Sequence, residues 1–328
     1  MKILCIGDLH IQKKNLLVFK KFEMKLLEYI QRNLNNIDII VLLGDILHTM
    51  DIINTFCLNT ALEFFKKLKQ FDKPIYVIVG NHDYIGPNEI LSKNHWMNNI
   101  CFHNCVQIVD SIVKFDEFVF LPYVPPGKFN AILSSTNLKD TKYIFCHQEF
   151  KNAEFEFSVI KSEKGDVWDE NNPMVISGHI HKKQWLQKNI YYTGTPYQTR
   201  FNENEDKTIA LLDTITDNIK EITLKLPKLI TIEINIADVE KLLKYNFIPE
   251  NLYKIIITSP SLVLTQTLVK NQIYKKLKLY SNLTILFKYT KEVIQRKTHN
   301  IKHTNFKDIL YENIKHSQTM VQIYKELI

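Results

Sequence analysis

The sequence predicts an α/β protein: a four-layer α/β/β/α sandwich, then a small α/β unit and a C-terminal helix. Three observations predict it. Short aliphatic runs alternate with helical segments over the first third of the chain. A β-rich middle follows, broken by Pro122 and by Pro125-Pro126-Gly127. Five clusters of acidic, amide and imidazole residues each stand directly after an aliphatic run: Gly7-Asp8-Leu9-His10, Gly44-Asp45-Ile46-Leu47-His48, Gly80-Asn81-His82-Asp83, Cys146-His147-Gln148 and Gly178-His179-Ile180-His181. The runs, at 3–6, 37–43, 75–79, 143–146 and 174–177, read as buried parallel strands. Every cluster then falls at the carboxyl end of a strand, where open α/β sheets place their ligand sites.

The elements follow in order. After the first strand, residues 16–34 are predicted helical from the apolar spacing of Leu16, Phe19, Met24, Leu27 and Ile30. A second helix is expected over 54–70, around Thr60-Ala61-Leu62 and Phe64-Phe65. Strand–helix–strand repetition implies a largely parallel sheet covered on both faces. Residues 106–109, 112–115 and 117–121 read as short strands. So do 189–193 and 207–213, with 221–225 as their pairing strand, and a second sheet packed on the first is expected from them. A boundary is expected near Pro227, which divides the chain into 1–226, 227–290 and 291–328. Strands at 229–236, 252–258 and 283–287 with helices at 237–245 and 262–280 make a compact α/β unit. Residues 288–303 read as a polar linker. Residues 304–328 carry Phe306, Ile309, Leu310, Ile314, Met320, Val321, Tyr324 and Leu327 at helical spacing.

Composition narrows the class. The 328 residues suit about two domains, and 45% hydrophobic content is enough for a sizeable core. No apolar run reaches the ~18 residues needed to cross a membrane, so no membrane partner is expected. The start, Met1-Lys2-Ile3-Leu4-Cys5-Ile6, is too short for a signal peptide and reads as the first strand. Five scattered cysteines suit reduced thiols in an intracellular, non-secreted protein of the cytoplasm or nucleoid, or of a viral replication site. Cys101, His103 and Cys105 lack a second Cys/His pair and read as ordinary side chains rather than a zinc site. The net charge of +7 is uneven: residues 228–328 hold 16 Lys+Arg against 8 Asp+Glu. Taken alone, that excess suits a solvated lysine-rich surface or a polyanionic partner equally.

The clusters themselves suit a pair of divalent cations ~3.5–4 Å apart, which need carboxylates, imidazoles and one shared ligand. Asp45 is the natural bridge, since one carboxylate has two oxygens. Asp8, His10 and His181 complete the set for one ion. Asn81, with a neutral carbonyl oxygen, and His147 and His179 complete the other. Gly7, Gly44, Gly80 and Gly178 let the backbone turn sharply beside them. Singly, each His reads as a loop histidine and each Asp as a helix cap. Those readings do not explain why the types recur only at strand ends. Such a site supplies in-line attack of an activated water on phosphorus. His82, directly after Asn81, is expected to face substrate as acid or transition-state stabiliser, with Asp83 orienting it.

These motifs resemble the calcineurin-like metallophosphoesterase superfamily over residues 1 to about 200, which implies the metallophosphoesterase form of the four-layer sandwich. The protein serine/threonine phosphatases of that superfamily carry Asp-Arg-Gly after the second cluster and Glu in the third. Ile46-Leu47-His48 and Asp83 stand there instead. The chain is more similar to the DNA double-strand-break repair nucleases: bacterial SbcD, the phage recombination endonuclease subunit, and their archaeal and eukaryotic counterparts. His48, three residues after Asp45, matches a histidine linked in that branch to exonuclease action. His147-Gln148 matches its fourth cluster. Asn189-Ile190-Tyr191-Tyr192-Thr193-Gly194-Thr195-Pro196-Tyr197-Gln198, then Leu211-Leu212-Asp213, matches its strand, Gly-Ser/Thr-Pro turn and closing strand.

The resemblance implies two divalent ions, Mn2+ first, with Mg2+, Fe2+ or Zn2+ as alternatives. It implies a cap that selects DNA, and a C-terminal helix that docks on an SMC-like coiled-coil ATPase. It leaves a homodimer open. Two other functions stay in view: a stand-alone phosphodiesterase or phosphatase for small nucleotides, and a metal-free scaffold of the same fold.

Overall fold

A computed structural model of the chain describes residues 1–50, 52–84, 93–98, 105–156, 160–203 and 207–290. The expected helix over 304–328, most of the expected 288–303 linker, Cys101 and His103 lie outside the described residues.

In chain order the elements are β1 (Lys2–Ile6), α1 (Leu16–Arg32), β2 (Ile39–Leu42), α2 (Thr55–Lys69), β3 (Ile75–Ile78), β4 (Val106–Val109), β5 (Val113–Phe115), β6 (Phe118–Leu121), α3 (Phe129–Leu133), β7 (Tyr143–His147), β8 (Met174–Gly178), β9 (Gln184–Gln187), β10 (Ile190–Tyr192), β11 (Ile209–Asp213) and β12 (Asn218–Ile222). Then come β13 (Leu229–Asn235), a 3₁₀ segment (Ile236–Lys244), β14 (Leu252–Ser259), α4 (Leu262–Lys270), α5 (Gln272–Leu277) and β15 (Leu283–Tyr289).

Two six-stranded sheets stack face to face, in the orders β12-β11-β1-β2-β3-β4 and β5-β6-β7-β8-β10-β9. β1 through β4 are parallel, and so are β6, β7, β8 and β10. The alternation of side chains along each strand sorts them into layers. In β1, Leu4 and Ile6 face α1 and α2, against Phe19, Phe22, Leu26, Phe64 and Phe65. Ile3 and Cys5 face the other sheet, among Phe118, Phe120, Phe145 and Tyr191. Tyr76 and Phe120 stack across the sheets with ring centroids 4.0 Å apart. Each fully buried Phe or Leu here contributes roughly 1.5–3 kcal/mol. Asn54 caps α2 by accepting from the N–H groups of Phe56 and Cys57. The fourth layer is thin: α3 and the loops bearing Phe150 and Trp168 cover the second sheet.

Several expectations need correction. The 207–213 strand does not join the second sheet. As β11 it pairs antiparallel with β1, and β12 extends the same sheet. β12 runs Asn218–Ile222, earlier than the predicted 221–225. The predicted 262–280 helix breaks at Asn271, whose extended backbone lets its side chain accept from the Ile273 N–H and start α5. The 237–245 helix is a 3₁₀ turn series.

β13, β14 and β15 form a separate, wholly parallel three-stranded sheet. Burial along β14 alternates strictly. Tyr253, Ile255 and Ile257 pack under Val239, Leu242, Leu268 and Leu277. Lys254 on the opposite face reaches back to the first unit, its ammonium 5.9 Å from the Phe201 ring. The Gln198 side chain ties the units together, accepting from Leu229 N at 2.8 Å and donating to Leu229 O at 3.2 Å.

Candidate metal centre

Strand register sets the site. Ile6 pairs with Leu42 and Leu42 with Val77, so β1, β2 and β3 end nearly level. In the facing sheet His147 pairs with Gly178. The loops after these five strands therefore meet along one rim between the sheets. All seven sequence-predicted ligands converge there.

Asp45 lies at the centre. Its Oδ2 is 3.4 Å from His10 Nε2, and its Oδ1 is 3.3 Å from His147 Nε2. The two oxygens face two different groups of side chains, as a bridging carboxylate must. On one side His10 Nε2 lies 2.8 Å from His181 Nε2. On the other, Asn81 Oδ1 lies 3.0 Å from His147 Nε2 and 2.9 Å from His179 Nδ1. Asp8 accepts the His179 N–H on Oδ1 at 2.9 Å. Its Oδ2 is buried with no hydrogen-bond partner.

These residues fit divalent cations. Ligands held ~2.0–2.1 Å from a common ion lie ~3.0–3.4 Å apart along the edges of its polyhedron, close to the spacings seen. A buried carboxylate oxygen without a donor is costly in an ion-free protein and natural beside a cation. Asp8, His10, Asp45 and His181 would hold one ion. Asp45, Asn81, His147 and His179 would hold the other.

The imidazoles are prepared for ligation. Leu43 O can only accept, so His147 Nδ1, 2.7 Å away, carries the proton and leaves Nε2 free for a metal. His179 Nε2 lies 3.6 Å from Glu149, whose carboxyl is held below its ordinary range chiefly by that contact. Burial pushes His10 well below the usual imidazole range and lowers His181 as well, which keeps both neutral. Burial also opposes charge on His147, but Asp45 and Asp8 outweigh it and push His147 up to about 9. A cation arriving at Nε2 would displace that proton.

Three of the ligands hold strained backbone. His10, Asp45 and His179 adopt φ of 44°, 51° and 79°, a left-handed conformation that costs non-glycine residues of order 1–3 kcal/mol. Gly44, at φ 104°, also has no room for a side chain: a Cβ would lie 2.5 Å from His147 Nδ1. Gly44→Ala is therefore expected to displace His147 and reduce metal affinity at least tenfold, read by calorimetric titration. An unchanged dissociation constant would show that the loop yields.

His48 and His82 flank the His10 side at the more open mouth. Their rings stack 5.4 Å apart at 12°, and His48 Nδ1 is 3.2 Å from His10 Nδ1. His82 Nδ1 lies 2.6 Å from His48 O and so donates to it, which leaves Nε2 for substrate.

Asp83 does not orient His82. Its carboxylate accepts from Ile46 N, Leu47 N, Gly80 N and Trp96 Nε1 at 3.0–3.3 Å. It is a brace for the Asp45 loop, because four converging N–H donors hold it more strongly than a single imidazole would. Burial, then the charge of Asp45, pushes its carboxyl up to about 6. Asp83→Ala would strand those donors. Hydrogen bonds to a charged group contribute ~1.5–3 kcal/mol each, so a loss of about 3 kcal/mol or more in urea unfolding is expected. A smaller change than about 1 kcal/mol would contradict the brace.

Sequence reasoning missed Glu149, although it stands only two residues past His147. It missed Tyr123, whose ring lies 5.6 Å from that of His179, because nothing local marks it. His95 is buried against Asp110 at 3.5 Å, away from the ligand set.

Two stacked α/β sheets carrying this acid, amide and imidazole set on one rim define a metal-using phosphoesterase. The chain belongs to the calcineurin-like phosphoesterase family, whose model matches residues 1–188. It is similar to the 078R protein of Invertebrate iridescent virus 3, 35% identical over 326 residues that cover 96% of this chain and 92% of that one. It is also similar to the 244L protein of Invertebrate iridescent virus 6, 40% identical over 250 residues that cover 72% and 86%. Among solved structures, the phosphoesterase YfcE of E. coli aligns at 12% identity and TM-score 0.33, covering 69% of this chain and 100% of that one. The nuclease MPE of Pseudomonas putida aligns at 14% and 0.29, covering 67% and 87%. Among the described residues no helix is long and apolar enough to cross a membrane.

Proposed function

We propose that the protein is a metal-dependent DNA nuclease of recombination or repair, using two Mn2+ ions as the nuclease subunit beside an SMC-like coiled-coil ATPase. In this reading residues 1–226 cut, 227–290 cap the site and contact DNA, and 291–328 supply a linker and the helix that docks on the partner. The observation that carries it is the block that runs from β10 into the turn beyond it. Tyr191-Tyr192-Thr193-Gly194-Thr195-Pro196-Tyr197-Gln198 resembles the repair-nuclease branch, and its residues are bonded to the metal loops. Thr195 N donates to His181 O at 3.2 Å, and the Tyr197 hydroxyl donates to Leu9 O, between Asp8 and His10. The basic excess beyond Lys228 supports a polyanionic substrate.

Bound divalent ions would neutralise the phosphoryl oxygens and activate the attacking water. The chain's own contribution is orientation and proton transfer. Asp45 Oδ1 accepts the His82 N–H at 2.9 Å, which fixes the His82 backbone over the site. Its Nδ1–H is committed to His48 O, so a protonated Nε2 would donate toward the leaving oxygen.

The test compares linear duplex DNA, single-stranded DNA and bis-nitrophenyl phosphate, each with Mn2+. Cleavage of all three is expected. Hydrolysis of the small diester alone would replace this reading with a small-nucleotide phosphodiesterase. Protein that neither binds nor responds to any divalent ion would be a scaffold. Removing residues 304–328 is expected to abolish co-purification with the ATPase and to preserve diester hydrolysis.

A further inference from the structure

We propose that Arg200 holds a backbone phosphate of the substrate strand beside the scissile one, and that the 198–203 turn exists to fix its place. The inference rests on the nuclease reading and names a substrate contact within it.

The turn is over-determined. The Glu203 carboxylate is fully buried. It accepts from Thr199 N at 3.1 Å, Thr199 Oγ1 at 2.9 Å and Arg200 N at 3.1 Å. Lys207, itself nearly buried, binds Glu203 at 3.2 Å and Glu156 at 2.6 Å, and reaches the His181 carbonyl at 3.5 Å. Gln198 donates to Glu203 O and grips Leu229 of the cap. Tyr197, just before the turn, is anchored on Leu9. A surface loop with no task beyond connection would not need a buried carboxylate and lysine to hold four residues.

What this frame presents is one exposed guanidinium. Arg200 is exposed and forms no ion pair among the described residues. Its turn is tied to the metal loops on two sides: Lys207, bound to Glu203, reaches the His181 carbonyl, and Tyr197 bonds to Leu9, between Asp8 and His10. Arg200 therefore stands on a turn that borders the His10 and His181 side of the centre. The choice of residue is informative. Only three of the 42 basic residues are arginine: Arg32, Arg200 and Arg296. A guanidinium binds phosphate with two parallel N–H donors, which an ammonium cannot do. The adjoining Phe201 carries Lys254 of the cap over its ring at 5.9 Å, so positive charge continues from the site mouth toward the cap.

The test uses the full chain with a fluorescein-labelled duplex. Anisotropy in EDTA gives affinity across a salt series, and cleavage with Mn2+ gives kcat and KM. One lost phosphate contact lowers the slope of log K against log salt by about 0.9. Arg200→Ala is expected to show that decrease, with KM raised about tenfold or more and the loss falling on KM rather than kcat. Arg200→Lys keeps the charge and should restore the slope while recovering only part of KM. Wild-type slope and KM in Arg200→Ala would overturn the inference and leave the nuclease reading standing. Wild-type protein that hydrolyses bis-nitrophenyl phosphate but neither binds nor cuts the duplex would sink both.

Discussion

Asp45→Asn is expected to strip the protein of bound divalent ions and reduce phosphodiester hydrolysis by on the order of 10³-fold or more. Metal ions supply several kcal/mol of transition-state stabilisation, and each 1.36 kcal/mol is tenfold in rate. The substitution keeps the side chain's shape but removes what the geometry uses. Oδ1 and Oδ2 face His147 and His10 respectively, and an amide offers one acceptor where the carboxylate offers two. The charge that pulls two cations together is lost as well. Folding should survive, because the ion-free protein loses a buried negative charge that opposes ionisation of Asp83. Three measurements check this: metal content by mass spectrometry, turnover of bis-nitrophenyl phosphate, and melting temperature with and without Mn2+. Ligand at 100 times its dissociation constant stabilises by ~2.7 kcal/mol, so wild type should melt higher with Mn2+ and the variant should not. A variant that keeps its ions and its turnover would remove Asp45 as the bridge.

The converging ligands were legible because their signal is local. Each aliphatic run specifies a buried strand, each glycine permits a turn, and the ligand type follows at once. Aligned register then brings the five loops level. The features that were not legible depend on distant pairing. Nothing in 207–213 says that it adds to β1 rather than to the second sheet, since both edges accept an apolar strand. Asp83 follows His82 directly, which suggests a pair. Its true partners are amides of the β2 loop and the Trp96 indole, brought close only by the fold. The tight 198–203 turn gives little sign in sequence, because Glu203 and Lys207 read as surface charges until burial is known. The break at Asn271 is a capping choice that an apolar period through 262–280 conceals.

His82→Ala is expected to lower DNA cleavage by ~10²–10⁴-fold, the range for a positioned general acid or base, while metal content stays at the wild-type level. The imidazole packs edge-on against His10, ring centroids 4.9 Å apart, but is not one of the seven proposed ligands. What Asp45 receives from this residue is the backbone N–H, which alanine keeps. The ring's own bond is from Nδ1 to His48 O, so its removal unstacks His48 without touching Asn81, His147 or His179. The size of the loss should depend on the leaving group. Nitrophenolate departs without a proton, so bis-nitrophenyl phosphate should lose less rate than DNA, whose sugar alkoxide must be protonated. An equal loss on both substrates would instead assign His82 to charge stabilisation at phosphorus. Wild-type rates on both would take it out of the chemistry and leave the open side of the centre without an acid.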